Sequence, residues 1–121
     1  KNRSGKVIAI VDAAMNDLIR PMLYEAYHPI LPVVRRPGEG NYDVVGPVCE
    51  STDTFASARM LPELAETDWL AIGYAGAYGS CMSSNFNSRP LIPEVLIAAD
   101  GSIQTIRRPQ TFEQMLAPEV I

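Results

Sequence analysis

Histidine, lysine and cysteine are scarce in this sequence. The single histidine, His28, stands between Tyr27 and Pro29, so acid–base chemistry near neutral pH has one imidazole to draw on. No catalytic triad can be assembled around it, and it is read as a structural residue at a strand entrance. Lysine occurs only as Lys1 and Lys6, at the amino end, where a chain is typically entering its first element; an amine in a pocket, ready to form a Schiff base, is missing. The two cysteines, Cys49 and Cys81, have neither a metal-ligand spacing nor the density of a disulfide framework, so a reducing cytoplasm is the default expectation. Long apolar runs are absent as well. Val7 to Val11, five residues, falls far short of the ~20 needed to cross a bilayer, and no membrane association is expected. Ten basic against fourteen acidic side chains give a net charge of −4, which argues against a nucleic-acid partner, because phosphate binding relies on concentrated positive charge. The sequence shows neither an initiator Met nor a charged-then-apolar leader, so it is read as a fragment that starts within a longer protein.

What is present suits one folded domain over residues 1–121: 47% apolar and 20% charged residues are the balance of an ordinary globular core. Val7 to Val11 reads as a strand buried on both faces. Pro21, tolerated best in a first helical turn, predicts a short helix that starts near it and ends by His28 and Pro29. Ile30 to Val34 and Tyr42 to Val48 read as strands joined by a polar, hairpin-like connection through Arg35 to Gly40. Trp69 to Tyr74 reads as a further strand. Glu94 to Ala99 and Ser102 to Arg107, separated by Asp100-Gly101, form the clearest β-hairpin signal. Thr111 and Gln114 have capping-box spacing ahead of a short helix. Six short strands with few helices predict a mainly β fold, a small β-sandwich or barrel.

Gly73, Gly76 and Gly79 match no dinucleotide or phosphate-loop fingerprint. Polar and aromatic residues concentrate in the predicted loops: Asn16, Asp17, Arg20 and Tyr24; Cys49, Glu50 and Asp53; Tyr78, Ser83, Ser84, Asn85, Asn87 and Arg89. Sites are built in such loops, but the same residues serve equally well to satisfy turns and strand ends. Composition alone leaves the function open.

Motif order narrows it. Asn16 to Ile30 (NDLIRPMLYEAYHPI), Asp43 to Asp53 (DVVGPVCESTD), Gly76 to Gly79 (GAYG) and Met82 to Ile97 (MSSNFNSRPLIPEVLI) together resemble the carboxy-terminal domain of diaminopimelate decarboxylases, from Val7 to about Leu116. The resemblance implies a β-domain that follows a pyridoxal 5'-phosphate-binding TIM barrel, which carries the cofactor lysine and is absent here. That explains the missing amine. It also implies a homodimer whose active sites are shared across the interface, and the conversion of meso-2,6-diaminopimelate to L-lysine and CO2.

The implied roles fall on individual residues. Arg20 and Tyr24 match the pair that grips a substrate carboxylate, for which a guanidinium fork is well suited. Cys49 matches the cysteine that reaches across the dimer and returns a proton to the α-carbon; an ordinary thiol, ionising near pH ~8.5, holds a proton to give at neutral pH. Glu50 matches the residue that reads the distal ammonium, and Tyr78 the tyrosine that contacts cofactor and substrate. Decarboxylation itself would be the cofactor's chemistry. Cys81 matches no functional position, and Ser83 to Arg89 are read as structural.

Two departures stand out. Thr52 replaces the glycine of the usual Cys-Glu-Ser-Gly-Asp, and would be strained if that position needs positive φ; Tyr74 and Ala75 replace the Arg or Asp often found before GAY. A sibling decarboxylase acting on ornithine, arginine or carboxynorspermidine is the nearest alternative, with Glu50 where ornithine-type enzymes carry Asp. A freestanding β-barrel ligand-binding module is a second, weakened by few aromatic stacking residues. The isolated chain, without its lysine, is expected to be inactive.

Overall fold

The computed structural model describes residues 2–3 and 6–120, with side-chain surroundings from Val7 onward. Strands dominate and helices are few and short, as the sequence predicts. A four-stranded sheet runs β1 (Asn2–Arg3), β2 (Lys6–Ile10), β4 (Glu39–Val45), β5 (Thr54–Pro62). β3 (Ile30–Pro32) pairs with β6 (Leu70–Ile72), and β7 (Glu94–Ile97) with β8 (Ile103–Arg107), as two antiparallel ribbons.

β2 and β4 are parallel, with Val7 opposite Tyr42 and Ile10 opposite Val45. Parallel neighbours need a long crossover, and here residues 11–38 supply it, carrying α1 (Arg20–Tyr24) and β3. This places the first resemblance motif over the end of the sheet where β4 turns into the Cys49 loop. Alternation fixes which face is covered: Val7, Ala9 and Val11 pack against the core of Leu18, Ile30, Tyr42, Val44, Phe55 and Leu61. Burying each of the larger apolar side chains contributes about 1.5–3 kcal/mol. Tyr42 brings its hydroxyl inside, and it accepts the Leu64 N–H at 3.0 Å, so the ring is buried without an orphaned polar atom.

Several local expectations change. β2 is not buried on both faces: Ile10 is exposed and Ile8 half-exposed. The chain from β3 to β4 makes no hairpin, because β3 finds its partner forty residues on in β6. The second strand begins earlier and stops at Val45. α1 ends at Tyr24, well short of His28, where Glu25 turns into the left-handed region at φ 53°. β5, the longest strand at nine residues, was not anticipated: Ala-Ser-Ala-Arg is poor strand material, and register shifts against β4 blur its alternation. Gly76–Gly79, expected as loop, is a helical turn, α2.

Other expectations hold. The Asp100-Gly101 hairpin forms, though as a three-residue loop: Gly101 N–H bonds to Ala98 O at 2.9 Å and Gly101 takes φ 82°, a type I turn followed by a left-handed glycine. Thr111 and Gln114 make both bonds of the capping box at the start of α3 (Phe112–Leu116). His28, 1% exposed, stands just before β3. Its Nδ1–H donates to Gly73 O at 3.0 Å, and its own carbonyl accepts from Arg59, which is the structural placement expected of it. No helix among the described residues is long and apolar enough to cross a membrane.

Candidate functional site

The Cys49 loop is built around a buried carboxylate. Asp53, 4% exposed, accepts Val48 N–H on Oδ2 at 3.1 Å and, across the crossover, Met15 N–H on Oδ1 at 2.7 Å. One side chain thus closes the 46–53 turn and fastens it to the segment that leads into α1. Gly46 makes room for it: a Cβ there would collide with the Asp53 carboxylate. Below the turn, Val48 packs with Ala14 and Met15, and Met22 of α1 seals the cluster.

A second buried carboxylate continues the network. Asp17 accepts Ala14 N–H at 2.9 Å and the Asn16 side-chain amide at 3.1 Å. Ser84 N–H bonds to Asn16 O at 3.0 Å, and Arg89 donates to Asp12 O at 2.6 Å. Arg89 also stands 3.9 Å from Asp17 Oδ2. Ser84 and Arg89 thus brace the first motif, and Asp53 of the second bonds to Met15, the residue just ahead of the first.

The candidate residues sit on top of this scaffold. Arg20, at the first position of α1, lies over the Tyr78 ring of α2 with its guanidinium carbon 5.3 Å from the centroid, a cation–π distance. The contact joins the first and third motifs. Tyr24 stands one helical turn from Arg20, on the same side of α1. Tyr24 and Tyr78 are both more than half exposed. Cys49 is exposed with a free thiol, and so is Cys81.

Glu50 follows Cys49 at the crest of the turn. Its Oε1 accepts Thr52 N–H and Thr52 Oγ1–H, each at 3.0 Å, and Ser51 Oγ–H at 3.3 Å. These donors hold the Glu50 carboxyl below the usual carboxylate range, the Thr52 amide contributing most. Thr52 avoids the left-handed region, so the strain expected of a β-branched residue there does not arise. Of the other departure, Tyr74 does take φ 57°. Asp53 and Thr52 are the residues whose parts the sequence understated; Gly46, close to a carboxylate in sequence, was the available signal for the first.

The comparisons bear on what this surface serves. The family model for the C-terminal sheet domain of pyridoxal-dependent decarboxylases matches residues 1–76. The chain belongs to that family. A diaminopimelate decarboxylase of Campylobacter jejuni is 45% identical over 119 residues, covering 98% of this chain and 29% of its own length. The crystal structure of diaminopimelate decarboxylase from M. jannaschii superposes with a TM-score of 0.95 at 34% identity, over 100% of this chain and 28% of that one. A lysine/ornithine decarboxylase from Vibrio vulnificus shares the fold at TM-score 0.66 and 25% identity, over 73% of this chain and 24% of that one. The sheet domain thus spans under a third of these relatives.

The residues present fit part of a pyridoxal phosphate site. A phenol (Tyr78) beside a guanidinium (Arg20) can contact the cofactor's edge and a bound carboxylate. The anchoring amine is not among them: Lys6 lies in β2 and Lys1 outside the described residues. Nor do His, Cys, Asp and Glu gather into a metal-binding cluster among the described residues.

Proposed function

We propose that this sheet domain completes the active site of a homodimeric, pyridoxal-phosphate-dependent decarboxylase that converts meso-2,6-diaminopimelate to L-lysine and CO2. The observation that carries the reading is the joining of Arg20 to Tyr78 across two motifs, beside a loop that presents Cys49 and Glu50 outward. Support comes from the diaminopimelate decarboxylases, which cover this chain almost end to end. The cofactor-holding TIM barrel would be the remainder of the protein, with residues 1–121 as one carboxy-terminal domain and cytoplasmic residence as for a biosynthetic enzyme.

Each side chain has a physical task. Arg20 pairs its fork with the carboxylate at the substrate's far end, and Tyr24 adds a hydroxyl donor to the same group. Glu50 accepts from the distal ammonium. Tyr78 holds the cofactor edge and, through its ring, the orientation of Arg20. The bound cofactor supplies an electron sink for the pair left when the carbon–carboxylate bond breaks. The Cys49 thiol then gives its proton to the α-carbon, and solvent restores it. Cys49 and Glu50 act in the barrel of the other subunit, so one copy of the domain holds only part of a site.

The test is turnover by the full-length protein with pyridoxal phosphate, comparing CO2 release from meso-diaminopimelate with ornithine, arginine and carboxynorspermidine. A site whose charged groups are left unpaired by the wrong substrate discriminates strongly, so diaminopimelate is expected to lead by about 100-fold or more in kcat/KM. Equal or faster turnover of ornithine would overturn the substrate assignment.

A further inference from the structure

Glu50 is held asymmetrically, and the asymmetry comes from Thr52. Three hydrogen bonds to its carboxylate converge on Oε1, and the Ser51 backbone N–H adds a weaker contact with the carboxyl. A carboxylate gripped at one oxygen has its second oxygen directed away from the grip. Two of the three bonds are made by Thr52, one from its backbone and one from its hydroxyl. The Thr52 backbone is itself anchored: Thr54 N–H bonds to Thr52 O at 2.6 Å, and the adjacent Asp53 is the buried clasp of the loop. Being β-branched, Thr52 has few side-chain rotamers, so its hydroxyl is directed at low entropic cost. A glycine at this position could offer only the amide. Thr52 also lines the cleft beside the end of α1, facing Pro21, Met22 and Glu25.

We propose that Thr52 is a positioning residue for the distal end of the substrate: its hydroxyl holds Glu50 by Oε1, so that Oε2 is turned toward the substrate's distal ammonium. This rests on the decarboxylase reading above. The clamp replaces a side-chain search by a preset geometry, so its effect falls on binding rather than on the bond-breaking step. Selectivity follows, since a substrate without a cation at that distance leaves the preset oxygen unpaired.

The experiment uses the full-length holoenzyme with Thr52→Val, which keeps shape and loses the hydroxyl, and Thr52→Ser, which keeps the hydroxyl. Loss of one hydrogen bond to a charged group is expected to raise KM for meso-diaminopimelate about 10-fold in Thr52→Val, with kcat within about twofold of the unmutated enzyme. The acid limb of kcat/KM should move to higher pH in the same variant, because the ionised form of Glu50 loses a donor. Thr52→Ser should restore both. An unchanged KM and acid limb in Thr52→Val, with meso-diaminopimelate turned over normally, would overturn the inference alone. Impairment in Thr52→Ser as large as or larger than that in Thr52→Val would overturn it, because serine keeps the hydroxyl and lacks only the methyl. Failure of the unmutated enzyme to act on meso-diaminopimelate, while acting on another amino acid, would instead sink the substrate reading and this inference with it.

Discussion

At the scale of single residues, the site rests on two kinds of side chain: exposed ones that would meet substrate, and buried ones that hold them. Cys49 is of the first kind. If it returns the proton, Cys49→Ala in the full-length enzyme should lower kcat by about 10²- to 10⁴-fold, the usual contribution of a positioned acid, with the fold intact by circular dichroism. A kcat within threefold of the unmutated enzyme would remove Cys49 from the chemistry. Asp53 is of the second kind. Asp53→Asn keeps one oxygen for the Met15 or Val48 N–H and turns an N–H₂ toward the other in place of an acceptor, and should cost about 1–3 kcal/mol of stability, read from the urea midpoint. The identity of the exposed residues was legible in the sequence only through the motifs they belong to, since a loop tyrosine or cysteine is usually inert. The buried clasp was less legible: an aspartate after a turn looks like any turn residue until its partner, Met15, is known to lie beside it.

At the scale of elements, the parts most readable from sequence were those with local causes. The Thr111–Gln114 capping box and the Asp100-Gly101 hairpin depend on residues within five positions of each other, and both form. β5 and the pairing of β3 with β6 depend on tertiary context, and local propensity misplaced them. Phe55, Ala56 and Leu61 earn their strand by covering the core against β4, not by β-branching. The turn before β6 is tied by an ion pair: Arg36, just after β3, binds Asp68, which also accepts Ala65 N–H at 2.8 Å. The guanidinium, then the Ala65 amide, hold the Asp68 carboxyl below its usual range. A carboxylate depressed on folding stabilises the fold above its unfolded pKa and loses that contribution as pH falls through the folded value. The thermal midpoint should therefore drop as pH falls below about 4, and Asp68→Asn should flatten that drop. A midpoint with the same acid dependence in both would contradict the tie.

At the scale of the whole molecule, the mainly β character was evident from strand-length segments punctuated by proline and glycine, whereas the mixed sheet, with β2 and β4 parallel, was not. No local pattern announces that residues 11–38 form a crossover. The carboxy-terminal ribbon shows the reverse of a finished surface: Val95, Leu96, Ile97, Ile103 and Ile106 are all exposed, and a lone two-stranded ribbon is marginal in water. Such a patch fits a domain that spans under a third of its relatives' length. The most direct test of a site shared between subunits is complementation with two full-length variants, one Cys49→Ala and the other lacking the cofactor-binding lysine of its barrel. Each alone should be nearly inactive on meso-diaminopimelate. Mixed and allowed to exchange subunits, half the dimers become hybrids with one intact site each, and roughly a quarter of full activity is expected to return. Hybrids that form and remain inactive would contradict the proposal that this domain lends Cys49 to its partner's barrel.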